Sequence, residues 1–280
     1  MSRAPHFSRR RFLQITGAAL PASVLAAPAS GKLKSHKYEE LRPEEFYAEL
    51  ERTPIAYWGC GAMEEHGLQN PLGVDPLTAY EICLRAVKIS GGIVFPLVPF
   101  APAYMPPCLT RRELREKSKE LFLPSLWTSG ELCKQLYIEL LESLADIGFK
   151  SCIAFSGHAP ADVLLQQIDK ELGGKVGAMR FWGGGTVSIL RDHLKDLAKQ
   201  YPLGMGHGMM WETSFMMALN PECVDLPRAK RVKDYPRPSQ LSKQPDKNLD
   251  DISNANTELG NREFNLAAER AAKIAREMLQ

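Results

Sequence analysis

No CxxC pair occurs among the six cysteines, Cys60, Cys83, Cys108, Cys133, Cys152 and Cys223, and none of their spacings suits structural zinc. A thiolate-zinc module and a CxxC redox centre are therefore excluded. Cys60 and Cys152 sit in apolar, strand-like runs and read as inert buried thiols. The even count leaves disulfides open in an oxidising compartment, without pairing them. Long apolar runs are lacking too: the stretch ITGAALPASVLAAPA is too short and alanine-rich to cross a bilayer, and no other segment is a candidate span. Nor is there a surplus of one charge. The formal +2 comes from the first 29 residues, which hold four arginines and no acid; of 35 basic residues that leaves 31 against 33 acidic, a balance of −2. A chain so near neutrality has no electrostatic footprint for nucleic acid.

What those first residues do hold is ordered. Ser8-Arg9-Arg10-Arg11-Phe12-Leu13-Gln14 resembles the twin-arginine export signal, a mildly apolar run follows, and Ala27-Pro28-Ala29 offers small residues to a signal peptidase. The expectation is a leader over residues 1–29, carried by the twin-arginine export machinery to the periplasm or beyond, and a single domain over residues 30–280. Cargo of that route is typically folded before transport, often around a cofactor, which suits a metalloprotein.

After a polar linker, LRPEEFYAELERT has helical spacing and leads into a strand, IAYWG from Ile55. A helix is predicted from Pro76 to about Ser90. Gly92-IVFPLVPF reads as a buried strand because its apolar run is continuous. The proline-rich APAYMPPCL that follows is an irregular loop, either plain punctuation or a pocket wall with Tyr104 and Met105 as contacts. RRELREKSKE reads as a solvated face, and Ser129 to Ile147 has period 3.6 and stops at Gly148. A third strand, Lys150-SCIAFSG, precedes a helix from about Ala161 to Leu172; a fourth, Val176-GAMRFWGGG, precedes a helix from Thr186 to Gln200. Arg231 to Glu258 is a long polar excursion, and an amphipathic helix from Asn261 to Leu279 closes the chain. Strands alternating with helices predict an α/β fold, a three-layer αβα sandwich with a mostly parallel sheet. Ligands in such sheets gather at the carboxyl ends of the strands.

Chemistry concentrates at those ends. Glu64 and His66, just past the first strand, share a face in extended backbone and could grip one metal ion, or form a solvated loop pair. Asp75 could close the site, and, with Pro76 after it, also reads as a helix N-cap. His158, past the third strand, is placed to meet the first cluster or to serve as a hydrogen-bonded structural residue. Gly183 to Gly185, past the fourth, form a turn or cradle an anion. In Gly204-Met205-Gly206-His207-Gly208-Met209-Met210-Trp211-Glu212-Thr213-Ser214, His207 and Glu212 stand near a helix start, where the macrodipole alone favours an acid.

Three of these stretches resemble, in order, the motifs of the creatininase (creatinine amidohydrolase) family of metal-dependent amidohydrolases. Glu64-Glu65-His66-Gly67 through Pro71-Leu72-Gly73-Val74-Asp75 is similar to E-Q-H-G-x-H-L-P-L-x-T-D, Ser156-Gly157-His158 to G-H-G-G-N or G-H-Y-E-N, and His207 to Ser214 to H-A-G-x-x-E-T-S. The resemblance implies metal ligands at Glu64, His66, Asp75 and His158, with Asp75 bridging two divalent ions, Zn²⁺ or Mn²⁺. It also implies His207 as general acid for a leaving nitrogen. If Glu212 ligates as well, three carboxylates and a hydroxide balance the two ions. The implied activity is cleavage of a C–N bond in a small cyclic amide, formamide or related amide. The implied assembly is a closed homo-oligomer, often a hexamer. Trp182, Tyr104 and Trp211 are candidate pocket residues. The chain departs from the family where Pro160 stands at a ligating glutamate, Ala161 at an asparagine, Gln69 at a histidine and Asn70 at a leucine. Either Glu212 or Asp162 then supplies the missing ligand, or the second site is weak. The rivals are a non-catalytic metal or small-ligand binding protein on the same scaffold and a metal-dependent esterase.

Overall fold

Continuous apolar strands pair their backbones in a sheet and bury their side chains only where helices cover both faces, and that is the arrangement in the computed structural model of the protein. It describes residues 33–103, 110–117, 125, 126, 128–230 and 251–280. The chain from Leu33 onward forms one compact unit. The elements run α1 (Pro43–Arg52), β1 (Ile55–Cys60), α2 (Val74–Ser90), β2 (Ile93–Val94), α3 (Arg111–Lys117), α4 (Gly130–Ile147), β3 (Ser151–Ser156), α5 (Ala159–Leu172), β4 (Lys175–Val176), β5 (Met179–Gly185), α6 (Thr186–Ile189), α7 (Arg191–Gln200), α8 (Met210–Leu219) and α9 (Thr257–Glu277). The sheet order is β2-β1-β3-β5-β4, parallel throughout except for the short edge strand β4.

Side chains alternate across the sheet as the pleat requires. Ile55, Tyr57, Ile153 and Phe155 pack with α2, α8 and α9 on one face. Ala56, Trp58, Cys60, Cys152 and Ala154 pack with α4 and α5 on the other. A stripe of buried alanines, Ala267, Ala268, Ala271, Ala272 and Ala275, lets α9 lie close against its neighbours, and Gly260 of α9 meets the Ser214 backbone of α8, where a Cβ would clash. The register aligns Cys60 with Ser156 and Ser156 with Gly185, so three strands end level. After β1 the chain turns to one face of the sheet, and after β3 to the other. This divergence is the topological switch point at which a crevice opens.

Several predicted boundaries move. β2 holds only two residues, with Val98 adding one isolated bridge to Cys60, because Pro96 has no N–H to give the ladder. Gly183 to Gly185 lie inside β5, not beyond it; a Cβ at Gly183 would strike the Leu165 backbone, so these glycines let α5 seat on the strand. The stretch read as one strand from Val176 is the hairpin β4–β5, and the helix read over Thr186 to Gln200 breaks at the buried Leu190. α9 starts at Thr257, earlier than predicted, because the Asn256 side chain accepts the Leu259 N–H at 2.8 Å as its cap.

Candidate metal centre

Six ionisable side chains from four chain segments converge over the carboxyl ends of β1 and β3. Glu64 and His66 come from the loop after β1, Asp75 from the first turn of α2, His158 from the residue capping α5, and His207 and Glu212 from the entry and first turn of α8. Asp75 is not the cap of α2: Gly73 holds that place, and the Asp75 carboxylate is taken up by two imidazoles instead. Two glycines make the meeting possible. A Cβ at Gly61 would come within 2.5 Å of the Pro76 nitrogen and 2.7 Å of the Asp75 carbonyl carbon, and one at Gly157 would run into the Asp75 carbonyl oxygen. The start of α2 is thus wedged between the ends of β1 and β3.

The donors fall into groups that share members. Glu64, Asp75 and His158 form one, His66, Asp75 and Glu212 a second, and Glu64, His66 and His207 a third, the donor atoms within each lying no more than 4.8 Å apart. Asp75 links the first two: Oδ1 is 3.0 Å from His66 Nε2 and Oδ2 is 2.8 Å from His158 Nδ1. His158 Nδ1 is also 3.1 Å from Glu64 Oε1, and His66 Nε2 is 3.7 Å from Glu212 Oε2. His207 Nδ1 lies 3.6 Å from Glu64 Oε1, its ring tilted by 33° against that of His66 with centroids 4.3 Å apart.

Each imidazole is fixed by a main-chain carbonyl, which can only accept. His66 Nδ1 donates to Glu64 O at 3.1 Å, His158 Nε2 to Pro102 O at 3.0 Å and His207 Nε2 to Glu65 O at 2.6 Å. In the neutral ring the opposite nitrogen then turns a lone pair into the cluster. Three lone pairs and three carboxylates facing one another need positive charge. At an effective dielectric of about 20, two carboxylates 4.8 Å apart repel by roughly 3 kcal/mol. Protons are one source of that charge. Burial opposes an imidazolium at His66, yet Asp75, Glu212 and Glu64 outweigh it and lift its pKa to about 10. The same contest, with Glu64 and Asp75 as the carboxylates, holds His158 well above its ordinary value. Although burial alone would raise Asp75, His66 and His158 hold it far below the carboxylate range. Glu212 is pushed up, first by burial.

Divalent cations are the other source, and the residues fit them. His158 Nδ1 and Asp75 Oδ2 are close but misaligned as donor and acceptor, so buried Oδ2 is left without a hydrogen bond. Two lone pairs aimed at a common third atom give that geometry. Mixed imidazole and carboxylate donors suit Zn²⁺ or Mn²⁺.

The predicted ligands Glu64, His66, Asp75 and His158 are all brought together, with Glu212 and His207 among them. Asp162 is not: its carboxylate accepts the Ser188 N–H at 2.8 Å and the Gln166 amide at 2.7 Å. Glu212 is the further acid grouped with His66 and Asp75, and Pro160 occupies the first turn of α5, where its missing N–H costs nothing. Trp211 belongs to the core and points its indole N–H at Glu263, 3.4 Å away, while half-buried Trp182 packs against that core beside Phe155, centroids 6.1 Å apart. Tyr104 lies outside the described residues. Sequence reasoning missed the carbonyls of Glu65 and Pro102, which no residue pattern encodes. It also missed the spacing role of Gly61 and Gly157, for which a glycine at the end of each strand was the available signal.

A doubly wound α/β sheet with a buried cluster of carboxylates and imidazoles at its switch point defines a three-layer protein built around a candidate two-cation centre. Residues 39–275 match the creatininase family, described as creatinine amidohydrolase. The chain is 25% identical over 189 residues to a creatinine amidohydrolase of Pseudomonas putida, covering 63% of this chain and 67% of that protein. A crystal structure of creatinine amidohydrolase (creatininase) shares its fold with a TM-score of 0.66 at 21% identity, over 89% of this chain and 100% of the other. A creatininase designated Mn gives 0.65 at 22% identity, over 87% and 98%. A mutant creatininase of Zn-Zn type gives 0.65 at 22%, over 88% and 98%. The chain belongs to the creatininase family and is an amidohydrolase of that family.

Proposed function

We propose that this protein hydrolyses the C–N bond of a small amide, cyclic or formyl in type, using two divalent cations, Zn²⁺ or Mn²⁺. The observation that carries this reading is the sharing of Asp75 between two donor groups, Glu64–Asp75–His158 and His66–Asp75–Glu212. Bound there, the cations would supply Lewis acidity and a water acidified to near neutrality. The protein's own groups do the rest. Asp75 offers one oxygen to each donor group, and the backbone carbonyls of Glu64 and Pro102 keep His66 and His158 in the tautomers that face inward. We assign His207 the proton transfer: its Nε2–H is committed to Glu65 O, which leaves Nδ1, 3.6 Å from Glu64 Oε1, as the nitrogen through which a proton can pass. The balance is that of hydrolysis. A C–O bond forms from water, the C–N bond breaks, and the proton released by water ends on the leaving nitrogen.

The test is protein matured in the cytosol, analysed for metal by mass spectrometry and assayed against a panel of small amides with added Zn²⁺ or Mn²⁺. About two ions per chain and amide cleavage abolished by His66→Ala are the expected results. Fewer than one tightly bound ion per chain would falsify the two-cation reading. Cleavage confined to phosphoesters would move the substrate class.

Export by the twin-arginine route and assembly into a closed homo-oligomer belong to the same reading. They are supported by the order of motifs in residues 8–29 and by the family resemblance. A paired Arg9→Lys, Arg10→Lys variant that still left the cytosol would count against the first. Sedimentation as a monomer would count against the second.

A further inference from the structure

The two donor groups are held by different means. Glu64, four residues past β1, and His158, two residues past β3 at the cap of α5, follow adjacent hydrogen-bonded strands, and Asp75 stands on the helix start wedged between them, so all three hang on the sheet and on α2. Within the second group, His66 comes from the loop after β1 and Glu212 from α8, a helix outside the sheet. Something must fasten that loop to α8, and the structure shows what does.

Gln69, buried to 1% exposure, donates its amide N–H to Gly208 O at 2.6 Å and faces Thr213 Oγ1 at 3.4 Å. Asn70 donates from one nitrogen to His66 O and to Thr213 Oγ1, both at 2.9 Å. Gly208, at φ +67°, in turn gives its N–H to Glu212 Oε2 at 2.5 Å, a reach-back from the first turn of the helix like half of a capping box. His66 carbonyl, Asn70, Thr213, Gln69, Gly208 and the Glu212 carboxylate thus form one continuous chain of hydrogen bonds. The amide orientations are set by the carbonyls they serve, which leaves Gln69 Oε1 and Asn70 Oδ1 buried without a hydrogen-bond donor. Unmatched buried acceptors cost stability and are rare. Gln69 and Asn70 are also two of the positions at which the chain departs from the family motif, and Glu212 is the acid grouped with His66 and Asp75.

We propose that Gln69, Asn70 and Thr213 are positioning residues: a side-chain clamp that holds Glu212 opposite His66 and so completes the second cation site, leaving the first independent of it. This rests on the two-cation reading above. Its signature is a split stoichiometry that a merely structural role would not give.

The experiment uses the full chain, loaded with Zn²⁺ and equilibrated by dialysis against buffered free Zn²⁺, with bound metal counted by mass spectrometry. Thr213→Val removes the hydroxyl at nearly constant volume. The parent should hold about two ions and Thr213→Val about one, with affinity for the second ion lowered roughly 10–100-fold and the first unchanged. Gln69→Ala should give the same split, and Thr213→Ser should restore the parent count. If Thr213→Val does not fold by circular dichroism, the Gln69→Ala and Asn70→Leu pair decides. Two ions at parental affinity in these variants would overturn the clamp and leave the proposed function intact. Equal loss of both ions would overturn it as well, by showing that the network only supports the fold. A parent that binds less than one ion would instead sink the two-cation reading itself.

Discussion

Among single residues, Asp75 carries the most. It is 2% exposed, and each of its oxygens faces a different imidazole, so Asp75→Asn should empty both donor groups where loss of an outer ligand would empty one. The expected result is near-zero bound metal and an activity loss of at least about 10³-fold, read by metal analysis and turnover. A pH dependence follows from the imidazoles. The carboxylates hold His66 protonated up to about pH 10 and His158 well above its usual range, whereas a bound cation requires both neutral. Binding must therefore release protons, and metal affinity should rise with pH across neutrality. Calorimetry in buffers of different ionisation enthalpy reads the proton release directly, and an affinity flat between pH 6 and 8 would contradict it. The sequence shows at this scale which residues the fold gathers, since acids and imidazoles past strand ends are visible in one dimension. It hides how they are held, because the partners of His158 and His207 are carbonyls of Pro102 and Glu65, and a carbonyl has no residue type.

For the elements, strands and helices were legible wherever periodicity and punctuation agreed. β1, β3 and α4 fall close to their predicted places: the strand runs are continuously apolar, and α4 lies between the Ser129 cap and the left-handed Gly148. Several of the misreadings come from glycine or proline acting in three dimensions. The glycines of β5 read as a turn or an anion cradle but lie in the strand, where Gly183 lets α5 seat, and the helix read from Asn261 takes in Gly260, which lets α9 cross α8. Both ideas can be checked. Gly157→Ala should push the start of α2 away from β3, costing about 1–3 kcal/mol by overpacking and lowering metal content with it. Gly260→Ala should cost a similar amount in denaturant melts and shift α8, so that the ions lost belong first to the group containing Glu212. A melt unchanged by either substitution would mean that the close contacts relax at no cost.

Over the whole molecule, the αβα architecture follows from alternation of element types alone, and the switch point between β1 and β3 follows from chain direction. The order of strands does not, because nothing local in the sequence says that β3 returns to the far side of β1. Stability should register the cations as a ligand: at 100 times the dissociation constant a ligand adds about 2.7 kcal/mol, worth roughly 5–10 °C in melting temperature for a domain of this size. Chelation should therefore lower the melting temperature by about that amount, and readdition of Zn²⁺ should restore it in a concentration-dependent way.

The convergence of distant segments has a topological corollary. An ion gripping Glu64 and His158 closes a loop of more than ninety residues, and one gripping His66 and Glu212 a loop half as long again. In the chain-entropy picture of covalent crosslinks, a closure of about 100 residues is worth roughly 4–5 kcal/mol. A chain with no cystine bridge among its described cysteines would thus have, in two exchangeable ions, a pair of removable rivets that any strong chelator can draw.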